Sequence, residues 1–102
     1  MPDAAGVIAA ADAAVSRTRL VDLCSMMVDI ASPTGGEGPL AQALADELAT
    51  AGLSGQVQRL DAPEAAAGDM ANAHGCWPSV GDGTSLLMYA PIDTVTVGHE
   101  AD

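Results

Sequence analysis

The sequence predicts an α/β fold in which two helices precede about three strands, with too few helices to cover both faces of the sheet. Three observations lead there. Apolar residues recur at helical spacing in two segments of the first half; short segments of strand character, punctuated by Gly and Pro, fill the second half; and a continuous apolar run, SLLMYA at 85–90, follows them. At 102 residues the chain forms one domain at most, close to the usual domain size of roughly 100 to 150 residues.

Taken in order, residues 1–15 read as an extension. Their Ala-rich part, 4–14, is either a frayed helical extension or the first turns of the first helix. From about Arg17 to Ile30, Leu20, Leu23, Cys24 and Met27 fall on one helical face, with Asp22, Ser25 and Asp29 largely opposite. Ser32 and Pro33 stop this helix, because a proline disfavours helical geometry in the residue before it and has no amide hydrogen to donate. SPTGGEGP, 32–39, is a turn, and Pro39 suits the first turn of the next helix. That helix places Leu40, Leu44, Leu48 and Ala51 on one face. Gly52 ends it in the left-handed conformation, which brings Leu48 and Leu53 to the two touching positions of a Schellman cap.

GQVQRL, 55–60, then reads as a short strand, DAPEAAAGD, 61–69, as an exposed acidic turn or loop, and MANAH, 70–74, as a second, weaker strand. GCWPSVGDGT, 75–84, is a loop. SLLMYA is expected to be a strand covered on both faces. The two helices available leave the layers around it incomplete, which predicts a poorly folded chain or association through exposed apolar surface, and leaves self-association open.

Composition narrows the function. Fourteen acidic residues against three basic ones, Arg17, Arg19 and Arg59, give a formal net charge of −11, which repels nucleic acid and anionic membranes. Such an imbalance fits either dilution in a longer parent chain or a high-salt setting. The apolar fraction is 49%, but much of it is alanine, with no Phe and only 2% aromatic residues, so large core anchors are scarce. Cys24 and Cys76 lie far apart without a CxxC or a zinc-spaced cluster, and read as two reduced thiols. The N-terminus lacks the basic start of a signal peptide, and no apolar run approaches the roughly 20 residues of a membrane span. The cytoplasm is the default expectation.

The chemistry is sought beyond the carboxyl end of the apolar strand, where ligands gather in open α/β sheets. Asp93 falls there, with residue 91 projecting to the same side if the extended conformation persists. A histidine at 91 would pair a metal ligand with a supporting carboxylate; the residue is Pro91.

The order LVDLCSMMVDIASPTGGEGPLAQALADELATAGL, a strand, a strand carrying Asn72, and SLLMYAPIDTV resembles the N-terminal part of the acetylornithine deacetylase, succinyl-diaminopimelate desuccinylase and aminoacylase family of zinc metallopeptidases. The resemblance spans residues 16–97, leaving 98–102 as a tail, and rests on two short motifs: Ser32-Pro33-Thr34-Gly35-Gly36-Glu37 and Ala90-Pro91-Ile92-Asp93-Thr94-Val95. It implies an incomplete N-terminal part of a zinc-peptidase-like catalytic domain. It also implies two zinc ions in the full-length enzyme and a small-molecule amide or peptide substrate, such as an N-acyl amino acid. There zinc lowers the pKa of a bound water, a glutamate takes its proton, and the hydroxide attacks the acyl carbonyl.

By the same resemblance Asp93 is the catalytic-site residue that orients a ligand, and Pro91 stands where the family's zinc-binding histidine would. The family supplies its bridging Asp, its Glu pair and its last His further along, so no metal ligand is assigned in this chain, which is expected to be a fragment. Two other readings accompany this one: a non-catalytic relative acting as a binding module, and a truncated product without activity.

Plainer roles are set beside these. Asp93 is otherwise a turn or N-cap carboxylate. His74 reads as a surface histidine, and His99 as a remote stand-in ligand near the terminus. Glu37 is expected to pair with the start of the helix that follows it. Thr34, Gly35 and Gly36 do not make a P-loop, since the GxxxxGK[ST] pattern is absent and the chain has no lysine. Trp77 is expected to plug a small apolar cluster, and Met26 and Met27 to pack in the core or at its edge.

Overall fold

The computed structural model describes residues 3–61 and 69–95. In order they form α1 (Ala4–Ala14), α2 (Arg17–Asp29), α3 (Gly38–Thr50), β1 (Gln56–Arg59) and β2 (Ala71–His74). The two strands pair antiparallel, from Gln56 opposite His74 to Arg59 opposite Ala71. This is a small α/β fold, and α3 packs against both strands.

The Ala-rich segment is a helix in its own right. Asp3 caps it by accepting a hydrogen bond from the Gly6 amide at 2.6 Å, and Val15 ends it in an extended conformation, so its register does not run into α2. All of its residues are exposed. Ser16 caps α2, accepting from the Arg19 amide at 3.1 Å. The inward face of α2 is Leu23, Met26, Met27 and Ile30, all half-buried, whereas Leu20 and Cys24 are exposed. Lying at i, i+3, i+4 and i+7, these four residues describe one helical stripe rotated from the expected one. Arg19 also donates to Glu47 of α3 at 2.6 Å.

Helix α3 carries the core. Leu40, Ala41 and Ala45 are buried from its side and Ala71 from β2. Three of those four are alanines, so the core is thin. Pro39 lies in the first turn, where its missing amide hydrogen costs no helical bond. At the other end Gly52 takes φ +96°, Leu53 N–H donates to Leu48 O and Gly52 N–H to Ala49 O, each at 3.0 Å. These are the two bonds of a Schellman cap, and Leu48 and Leu53 pack together over Gly75. Gly55 then lets the chain turn back against the helix, because a Cβ there would collide with Ala45 O and stand 2.9 Å from the Ala49 nitrogen.

Two further expectations fail. The run 85–90 is not a buried strand: it takes no strand assignment, and Leu86, Leu87, Met88 and Tyr89 are 84–89% exposed. A strand buried on both faces needs hydrogen-bonded neighbours and two apolar layers, and the described residues provide one two-stranded sheet covered by α3. The radius of gyration, 16.8 Å, exceeds the roughly 13 Å of a compact chain of about 100 residues, in keeping with this uncovered surface. Trp77 plugs no cluster, being 70% exposed; its ring edge lies near Gly52 at the cap. Most of the acidic loop expected at 61–69, together with His99 and the tail, lies outside the described residues.

Candidate functional site

Far apart in sequence, the two motifs meet in space. Ser32 is fully buried near the start of the α2–α3 connection. Its hydroxyl donates to Ile92 O at 2.9 Å, across 60 residues. Its own carbonyl accepts from Thr94 N–H at 2.8 Å. Pro33 and Thr94 thereby form a parallel β-bridge. This stapling explains why Asp93 has a defined position although the apolar run before it is uncovered.

Beside the staple, Thr34 Oγ1 donates to Asp93 Oδ2 at 2.7 Å. Asp93 is exposed, and no hydrogen bond among the described residues engages Oδ1. One oxygen of the carboxylate is therefore held and the other is free to accept from a ligand or a ligand-bearing side chain. That geometry suits a residue that positions another group.

Glu37 is 7% exposed. It occupies the N-cap position of α3 but makes no side-chain cap bond. Instead its carboxylate folds back, Oε1 accepting from Gly35 N–H at 2.9 Å, while Oε2 is buried without a hydrogen-bond partner among the described residues. The expected pairing with the helix start is thus replaced by a bond to the preceding turn, which Gly36 N–H closes on Pro33 O at 2.8 Å. The burial of Glu37 was not foreseen from sequence; its one signal is the company of Gly35, Gly36 and Gly38, small residues that let backbone crowd around a side chain.

A cleft of about 430 Å³ opens alongside, between β2 and residues 87–93, with Glu37, Asn72, His74, Tyr89, Pro91 and Asp93 on its wall. His74 is exposed, as expected of a surface histidine. Asn72 Nδ2 donates to Gln58 Oε1 at 3.2 Å on the sheet face that carries His74. Cys24 and Cys76 are free and exposed thiols.

The donors present do not amount to the zinc pair that the resemblance implies. Pro91 has no metal-binding atom, and among the described residues no three His, Cys, Asp or Glu side chains converge on one point. No chemical step is therefore assigned to a metal held by these residues alone. Among the described residues no helix is long and apolar enough to cross a membrane. In comparisons with protein-family models, curated proteins and solved structures, nothing matches the chain.

Proposed function

We propose that this chain forms part of the catalytic domain of a metal-dependent hydrolase that cleaves amide bonds of N-acyl amino acids or small peptides, with Asp93 as a positioning residue. The observation that carries the reading is the 2.7 Å hydrogen bond from Thr34 to Asp93. It joins the two motifs on which the resemblance rests and leaves one carboxylate oxygen free, as a residue that orients a metal ligand requires. On this reading zinc is bound in the protein by ligands additional to the residues described.

Pro91 favours a second reading, a non-catalytic relative that keeps the scaffold and binds without hydrolysis. Coding sequence downstream of codon 102 separates the two. An in-frame continuation carrying an Asp, a Glu-Glu pair and a His supports the hydrolase, whereas an authentic stop after that codon removes the hydrolase reading.

A further inference from the structure

The cleft beside β2 has two backbone walls. β2 pairs with β1 on one side only, so its other edge is free among the described residues. Opposite runs the segment 87–92, whose residues are in no strand. Leu60, Met70 and Leu87 make much of the surface apolar. An edge of this kind is a template for strand addition, in which main-chain bonds give affinity and alternate side chains give specificity.

Charge makes the slot selective. Glu37 and Asp93 stand on its wall and none of the three arginines does. Glu37 is more than nine-tenths buried, and its Oε2 has no donor among the described residues. A carboxylate oxygen left unpartnered in a buried position is costly, and a cation that reaches it recovers that cost. The net charge of −11 adds long-range attraction for a basic partner.

We propose that this cleft is a docking slot for a partner chain: an extended, largely apolar peptide segment with one basic side chain, which adds as a strand to the free edge of β2 and sets its cation against Glu37. Its volume, about 430 Å³, falls within the roughly 300–1,000 Å³ of ordinary ligand pockets, so it takes a few residues of an extended chain. Binding is read without turnover, and the proposal stands or falls apart from the hydrolase reading.

The test titrates the 102-residue chain with acetyl-VTKVT-amide and with acetyl-VTEVT-amide, following backbone amide shifts. The lysine peptide is expected to bind about tenfold tighter, a difference of roughly 1.4 kcal/mol, with the largest shifts at 71–74, 87–90 and 92. Glu37→Gln should shrink the preference to about twofold. On the unaltered chain, raising salt from roughly 20 to 300 mM should weaken the lysine peptide selectively, which keeps the test open if the variant does not fold. Equal affinity for the two peptides, no binding up to about 1 mM, or shifts confined to other residues would overturn the proposal. So would self-association that occludes the same amides, which would give the slot to a second copy of the chain.

Discussion

Replacing Ser32 by alanine tests the staple that joins the two motifs. The substitution removes the hydroxyl that donates to Ile92 O at 2.9 Å and leaves the backbone bond from Thr94 N–H to Ser32 O in place. A net hydrogen bond is worth about 0.5–1.5 kcal/mol, and a carbonyl left unpaired in a buried position costs about 1–3 kcal/mol. Ile92 is half-buried, so water recovers part of the second amount and the expected loss is about 1–2 kcal/mol, a factor of roughly 5 to 30 in the local opening equilibrium. Hydrogen exchange reads this directly. The Thr94 amide should lose protection by that factor, while the Gly52 and Leu53 amides of the α3 cap, remote from the change, should hold theirs. Unchanged protection at Thr94 in a folded Ser32→Ala chain would refute the reasoning.

Gly55→Ala drives a Cβ into Ala45 O and to 2.9 Å from the Ala49 nitrogen, so thermal melting should show a loss of about 1–3 kcal/mol. Arg19→Ala removes an ion pair whose side chains are 52% and 35% exposed, and should cost less than about 1 kcal/mol, with the difference vanishing in high salt. Leu87→Ala should change stability by less than about 0.5 kcal/mol, because Leu87 is 89% exposed; a loss of about 2–5 kcal/mol in denaturant titrations would instead restore the buried strand. Pro91→His places an imidazole two residues before Asp93 and should tighten zinc binding about tenfold or more in chelator competition, an effect expected only if residue 91 faces the ligand position.

What could be read from the sequence was local. The two short strands expected at 55–60 and 70–74 and found at 56–59 and 71–74, the stop at Ser32-Pro33 and the cap at Gly52 all depend on signals within a few residues, and all are present; that the two strands pair with each other comes from the structure alone. Gly52 shows the reach of such signals: a glycine after a helical stripe, followed by leucine, specified both cap bonds. The covered face of α2 is rotated from the expected one, since Leu20 and Cys24 are apolar as Met26 and Ile30 are, and only the neighbouring elements decide which pair is covered. SLLMYA was misjudged for a deeper reason: its composition reports what the segment is suited to, while burial depends on layers that the described residues do not contain.

The site was legible as two motifs but not as one object. Nothing in the spacing of Thr34 and Asp93, 59 residues apart, says that they touch. Asp93 was singled out because it lies past an apolar run, whereas its geometry comes from Ser32 and Thr34 on the other motif. Glu37 was legible as a helix-start carboxylate; its orphaned Oε2 depends on packing that sequence does not reveal.

On the proposed function Asp93 positions a metal ligand for amide hydrolysis. The direct measurement is zinc content and hydrolysis of a panel of N-acyl amino acids and dipeptides by the protein as its source makes it, alongside Asp93→Ala. The hydrolase reading predicts bound zinc and turnover in the parent, with zinc affinity or activity lower by about 10- to 100-fold in the variant. Less than one equivalent of zinc, together with no amide hydrolysis after zinc loading, would contradict it.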